Sequence, residues 1–227
     1  MNFQLYKVGG CVRDEILGLS STDIDYTVVM NNPQPSAAAF EQLQEELEGL
    51  GYKIFITIPE RFTIRSKFPN SKLISDFVLS VNQDGMTGTL KDDLLRRDFT
   101  MNSMAIDEFG NVIDVVGGKE DIENQLIRCP SDPFELICSD PIRIFRALRF
   151  KVQFNFKMHP SVWFAIAEFP VSNFKDLRMD KMVEEMIKMF RINSAKSMEL
   201  FLQLRQYNLE LYEWVFENVW LRSNLKK

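Results

Sequence analysis

Histidine is almost missing from this sequence: His159 is the only one in 227 residues. That excludes a zinc site built from imidazoles and a Ser-His-Asp triad built on any other histidine. Cysteine is scarce too. Cys11, Cys129 and Cys138 are odd in number and far apart, which argues against a disulfide framework or a close-spaced metal cluster. A reducing, cytosol-like compartment is the expectation, so the protein is expected to be cytoplasmic. No apolar run approaches the ~20 residues of a membrane span, and M-N-F-Q-L-Y-K-V lacks the apolar core of a signal peptide, so no membrane partner is expected. Nor is there an excess of positive charge. The net charge of −5 is not that of a nonspecific nucleic-acid binder. Internal repeats and low-complexity tracts are absent. Any metal chemistry is therefore left to carboxylate oxygens and a hard cation.

What is present is an ordinary globular composition, 45% apolar and 26% charged, long enough for one large or two small domains. The first part alternates strand and helix signals. Strands are expected at 3–8, 24–30, 52–58, 62–65 and 72–79, with a hairpin around F109-G-N111. Helices are expected just after Gly10, at 37–50 with Ser36 as N-cap and Gly51 closing it, and at 91–105. From about residue 119 the apolar spacing is helical throughout, in 140–154, 161–168, the Met-rich 179–190 and 194–206. The fold class expected is α+β, a mixed-sheet head at 1–125 followed by an all-helical neck and body at 126–227.

Two carboxylates, Asp23 and Asp25, fall at the start of I24-D-Y-T-V-V29, a stretch that reads as a strand. Residues i and i+2 of a strand share a face, so the two acids stand side by side and need a cation between them. Mg2+ held this way suits nucleotidyl transfer, because it activates an attacking hydroxyl and neutralises the leaving pyrophosphate. Upstream, Gly9-Gly10 lets backbone amides approach phosphate, and Arg13 offers a forked donor to a triphosphate. Separately these are weak signals. A Gly-Gly, an arginine three residues later and a D-x-D ten residues beyond form a far more specific set.

That set, G9-G-C-V-R-D-E-I-L-G with D23-I-D25, resembles the signature of class II tRNA CCA-adding enzymes and bacterial poly(A) polymerases. Two further segments agree in order: R96-R-D-F-T-M-N-S-M-A-I-D107 is similar to the family's Arg-Arg-Asp motif, and D140-P-I-R-I-F-R-A-L-R-F150 to its nucleotide-selecting helix. The resemblance covers about residues 5–155 and fades towards 205. It implies a nucleotidyltransferase head of the DNA polymerase β-like type, with Mg2+ on Asp23 and Asp25. Asp76, in L73-I-S-D-F-V-L79, falls where the family has a third carboxylate that accepts the primer's proton. It also implies that Arg96 or Arg97 reaches the incoming nucleotide, while Asp98 anchors the segment that follows.

The arginine helix also has a physical reading. Adenine and cytosine each present an amine donor beside a ring-nitrogen acceptor. Asp140 and Arg143, one turn apart, complement both, whereas guanine and uracil present the reverse order. Arg146 and Arg149 would lie near the nucleotide, its phosphates or the RNA end. The family usually has Glu-Asp where this chain has Ser139-Asp140, a departure that loosens the expected selectivity for C and A.

The expected function is template-independent addition of C and A from CTP and ATP to the tRNA 3′ end. CC-only, A-only and poly(A) addition are the alternatives within the class, and the absence of a G-R-[RK]-F-like stretch counts against the last. A catalytically inactive nucleotide- or RNA-binding protein is the alternative outside it. Family members usually carry a longer helical body, so the resemblance implies a minimal version or one that acts with a partner. Tyr207, Tyr212, Trp214, Phe216 and Trp220 are either core or a possible homodimer surface.

Overall fold

The computed structural model describes residues 1–21, 24–70, 73–174 and 179–220. The chain divides into two compact units, Met1–Glu120 and Asp121–Lys227.

The first unit is built on strands β1 (Phe3–Val8), β2 (Ile24–Met30), β3 (Lys53–Ile58), β4 (Thr63–Lys67), β5 (Ile74–Leu79), β6 (Met104–Ile106) and β7 (Val112–Asp114). They form one mixed sheet in the order β3-β4-β5-β2-β1-β6-β7, in which β2 and β5 run parallel and the other described pairs antiparallel. Helix α1 (Gly10–Ile16) follows β1, α2 (Ser36–Gly49) crosses from β2 towards β3, and α3 (Leu90–Leu95) precedes β6.

Side-chain alternation decides which face of the sheet is covered. Phe3, Val28, Met30, Ile64, Phe77 and Leu79 point to one side and bury against Ala39, Phe40, Leu43 and Leu47 of α2. Those α2 positions recur at one-turn spacing, the pattern of an amphipathic helix. Leu43 and Leu47 are fully buried, each worth about 1.5–3 kcal/mol over exposure. On the opposite side α3 covers part of the sheet: Val8, Leu94 and Ala105 form a small cluster there, and Thr27 of β2 is buried beneath Asp93. The remainder of that side carries the polar residues described below.

Three local expectations are corrected. Ser36 is the first residue of α2 rather than its cap; Pro35 holds the cap position, with no side-chain capping bond. The helix expected at 91–105 ends at Leu95 and gives way to a 3-10 turn, Thr100–Asn102, and then β6. Asp98 is the cause: its Oδ1 accepts from the Phe99 amide at 2.8 Å and from the Asn102 side chain at 3.0 Å, local bonds that compete with a continuing helix. The second unit is not wholly helical either, since β8 (Leu126–Ile127) and β9 (Lys157–Met158) form a short parallel ladder.

In chain order α4 (Gly118–Glu123) follows β7, and α5 (Pro133–Ser139), α6 (Ile142–Phe154), α7 (Pro160–Ala167), α8 (Met179–Ile192), α9 (Ser194–Tyr207) and α10 (Leu209–Val215) are the further α-helices of the described residues. Ile144, Phe145, Ala147 and Leu148 of α6 and Met182, Met186 and Met189 of α8 are buried. His159 caps α7, its Nδ1 accepting from the Ser161 amide at 3.2 Å. Of the C-terminal aromatics, Tyr207 stacks on Trp163 and Trp214 on Phe174, each with ring centroids 4.3 Å apart; the Trp220 side chain lies outside the described residues.

Candidate active site

The open face of the head sheet carries one polar row at a single register level. Arg65 of β4 pairs with Asp76 of β5, Asp76 with Asp25 of β2, and Asp25 with Val8 of β1. Register partners on adjacent strands stand about 5 Å apart and point to the same face, so Asp25 and Asp76 are neighbours. Asp25 is exposed. Asp76 receives both arms of Arg65, Nε to Oδ1 and Nη2 to Oδ2, each at 2.7 Å. Two carboxylates so close repel, and Arg65 offsets one of them.

The donors here are all carboxylate oxygens, which suit a hard divalent cation such as Mg2+ and not a soft metal. Among the described residues no cluster of three metal-binding side chains forms. Asp23, the expected partner of Asp25, lies outside the described residues. Among the described residues, Asp25 is the exposed carboxylate that could hold the cation the resemblance implies.

Just beyond β1, Gly9 takes φ +83 and ψ −140 at the N-cap of α1, a conformation that favours glycine. Arg13 does not reach outward from this turn. It is 7% exposed, with Nε and Nη2 on Asp14 Oδ1 at 2.9 and 2.7 Å and Nη1 on Asn102 Oδ1 at 2.7 Å. Its guanidinium lies against Gly10, 3.4 Å from where a Cβ would stand. The geometry makes Arg13 a brace between the glycine turn and the 3-10 turn. Cys11 is buried, its thiol pushed up by that burial, and donates to the Val8 carbonyl at 3.2 Å. It packs, as the sequence suggests.

One rung along β2 from Asp25, Thr27 is fully buried. Its hydroxyl donates to Asp93 Oδ2 at 2.7 Å. Arg97 donates to the same oxygen through Nε at 2.9 Å and Nη2 at 2.8 Å, and Nη2 also reaches Thr27 Oγ1 at 3.1 Å. Of the Arg96/Arg97 pair, Arg97 is thus held on the open face beside Gly9. Arg96 is exposed and donates from Nε to the Asp92 carbonyl at 3.1 Å. Both line an open cavity of about 410 Å3 together with Arg61, Phe62 and Val78. Sequence reasoning missed Thr27, Asp93 and Arg65. Nothing in their local pattern separates them from ordinary strand and helix residues, and only the register of the sheet gathers them.

In the second unit, Asp140 ends α5 and its Oδ1 accepts from the Ile142 amide at 3.3 Å. Arg143 is half-buried; Nη1 donates to the Leu136 carbonyl at 2.8 Å and stands 3.5 Å from Ser139 Oγ. Where the family carries a glutamate, a main-chain carbonyl therefore steadies this arginine. Arg146 and Arg149 flank the Phe150 ring, their guanidinium carbons 5.5 and 4.1 Å from its centroid. Arg149 is committed within its own unit: it pairs with buried Glu185 of α8 and donates to Gln153 Oε1 at 2.7 Å.

Comparison with known proteins bears on the family and the fold. The family model described as the poly A polymerase head domain matches residues 5–128. A CCA-adding enzyme of Alteromonas mediterranea is 37% identical over 157 residues, 67% of this chain and 37% of that relative. Among solved structures, the Bacillus stearothermophilus CCA-adding enzyme in complex with CTP superposes with a TM-score of 0.75 at 26% identity, covering 92% of this chain and 49% of that one. A tRNA nucleotidyltransferase complexed with a primer tRNA and an incoming ATP analog gives a TM-score of 0.69 at 30% identity, covering 96% and 59%. The chain thus spans between about a third and three fifths of the length of these relatives.

Proposed function

Because the chain belongs to the family of class II tRNA nucleotidyltransferases and bacterial poly(A) polymerases, through its poly A polymerase head domain, we propose that it is a template-independent RNA nucleotidyltransferase. Its substrates are CTP and ATP, and its acceptor is the tRNA 3′ end. The observation that carries this reading is the pairing of Asp25 with Asp76 in register on the open face of the sheet, beside the Gly9 turn and Arg97.

In this reading Asp25 and Asp23 hold Mg2+, which when bound makes the primer's 3′-hydroxyl more acidic and neutralises the departing pyrophosphate. Asp76 takes the hydroxyl proton. Each of its oxygens keeps a lone pair beyond the Arg65 bond. The hydroxyl oxygen bonds to the α-phosphorus, and the bond from that phosphorus to pyrophosphate breaks. Gly10, Arg96 and Arg97 hold the triphosphate, with Arg13 bracing the glycine turn. Base choice is assigned to Asp140 and Arg143, and Arg149 to the packing of α6 on α8. Catalysis by such a site rests on positioning and charge neutralisation.

Compartment and assembly belong to the same proposal. No helix among the described residues is long and apolar enough to cross a membrane, and the three cysteines form no disulfide; both accord with a cytoplasmic tRNA-processing role. Dimerisation through the C-terminal aromatics is supported only by the exposure of Tyr207 and Phe216, 41% and 40%, since Trp214 is engaged within its unit.

The test uses tRNAs trimmed to end before the first C, after the second C, or complete. Each is incubated with Mg2+ and one labelled nucleotide at a time, and products are resolved to single nucleotides. Addition of C and then A to the trimmed acceptors supports the proposal. Addition of only C or only A would narrow it, long A tails on any RNA would replace it with poly(A) addition, and no transfer with intact nucleotide binding would leave a binding protein.

A further inference from the structure

We infer that Asp93 and Thr27 are positioning residues that fix the Arg97 guanidinium over the Gly9 turn, making it a preformed seat for the phosphates of the incoming nucleotide. The inference rests on the nucleotidyltransferase reading above. It assigns the orientation of the arginine to two residues that act through it.

The geometry is a closed triangle. Asp93 Oδ2 accepts from Arg97 Nε, from Arg97 Nη2 and from the Thr27 hydroxyl, at 2.9, 2.8 and 2.7 Å. Thr27 has one proton to give and directs it to Asp93, which turns its lone pairs to Arg97 Nη2 at 3.1 Å. Asp93 is 8% exposed and Thr27 fully buried. A buried carboxylate held by three donors fixes the arginine far better than an exposed pair does.

That arrangement uses one edge of the guanidinium and leaves the other. Nη1 lies 3.1 Å from the point where a Cβ on Gly9 would stand, and among the described residues nothing accepts a hydrogen bond from it. Gly9 therefore has two reasons to be glycine: its φ of +83, and the space the arginine edge occupies. A flexible arginine would lose side-chain entropy on gripping a phosphate. The triangle fixes that conformation before the nucleotide arrives.

The experiment measures CTP and ATP binding at equilibrium, and the KM and kcat of transfer, in the full chain. Arg97→Ala is expected to raise the nucleotide KM by about tenfold or more. Asp93→Asn is expected to raise KM in the same direction, about tenfold, with a much smaller change in kcat. The double variant is expected to be no worse than Arg97→Ala alone, since both remove one device. Thr27→Val should weaken nucleotide binding several-fold, and Thr27→Ser, which keeps the hydroxyl, should restore it to within about twofold.

A purely structural Asp93 would instead lower the melting temperature, leave nucleotide KM unchanged and multiply with Arg97→Ala; that result overturns the inference. Unchanged nucleotide affinity in Arg97→Ala, with transfer intact, also overturns it but spares the enzyme reading. A wild-type chain that neither binds CTP or ATP nor transfers them overturns both.

Discussion

Asp25 and Asp76 sit opposite each other on the parallel strand pair β2–β5 of the head sheet, and Arg65 on the far side binds Asp76 through both of its oxygens. The row Arg65–Asp76–Asp25 places a compensated carboxylate beside an exposed one. The Arg65 fork fixes the orientation of Asp76, and the exposed carboxylate of Asp25 suits a hard cation. Replacing Asp76 with Asn keeps the shape and one Arg65 bond but removes the basic oxygen. Steady-state transfer is expected to show kcat lowered by about 10²-fold or more with the KM for CTP little changed. An unchanged kcat would remove Asp76 from the mechanism.

Arg149 supplies the opposite case, an arginine that the sequence places near the nucleotide and the structure commits to packing. Its pair with Glu185 is almost closed to solvent, with side chains 13% and 9% exposed, and its guanidinium lies on Phe150. Arg149→Ala leaves the Glu185 charge without this partner, and urea unfolding should show a loss of about 3 kcal/mol. The KM for CTP and ATP should stay at the wild-type value in enzyme that remains folded. A rise in KM without loss of stability would return Arg149 to the nucleotide.

Ser139 is the residue at which selectivity is expected to be tunable. Arg143 is steadied by the Leu136 carbonyl, with Ser139 Oγ only at the edge of bonding distance. Ser139→Glu supplies a carboxylate within reach of that guanidinium and makes the arginine's orientation less dependent on a neutral acceptor. Competition of UTP and GTP against CTP should show misincorporation falling by several-fold, on the order of one charge-assisted bond. Equal misincorporation in both proteins would show that Ser139 has no part in base choice.

Much of this was legible from sequence, for identifiable reasons. The strands announce themselves by alternation, and α2 by the one-turn recurrence of Ala39, Phe40, Leu43 and Leu47 with Gly51 at φ +86 closing it. The Gly-Gly turn and Asp25 were legible because their residue types are expensive or unusual where they fall. Asp76 needed the family resemblance. Arg65, Thr27 and Asp93 were not legible, because their meaning comes from register across strands far apart in sequence. Arg13 was legible as important but not as buried: its partners Asp14 and Asn102 come from α1 and from the 3-10 turn that interrupts the expected helix at 91–105. Gly118 was silent in the sequence for the same reason, yet a Cβ there would stand 2.3 Å from the Thr100 carbonyl oxygen.

Asp114 gives a prediction in pH. Its Oδ1 accepts from the amides of Val116, Gly117 and Gly118, and its Oδ2 from Lys119, at 2.9–3.1 Å. Burial alone would raise this carboxyl, but the four amides outweigh it and hold it below the usual aspartate range. A carboxyl lowered on folding stabilises the folded state above its unfolded pKa and loses that contribution as pH falls through the folded value. Melting curves of wild type and Asp114→Asn should therefore differ at pH 7 and converge below about pH 4. A gap that persists undiminished into that acid range would show that the four amides do not depend on the carboxylate charge.

The most direct test of the account is Asp25→Asn, examined for nucleotidyl transfer and for CTP binding side by side. Asp25 is the described carboxylate assigned to the cation, and Asn keeps its size while removing the charge. The account predicts transfer to trimmed tRNA reduced by at least about 10³-fold, with CTP binding still measurable and the fold intact by melting temperature. Transfer by Asp25→Asn at a rate near that of wild type would contradict it.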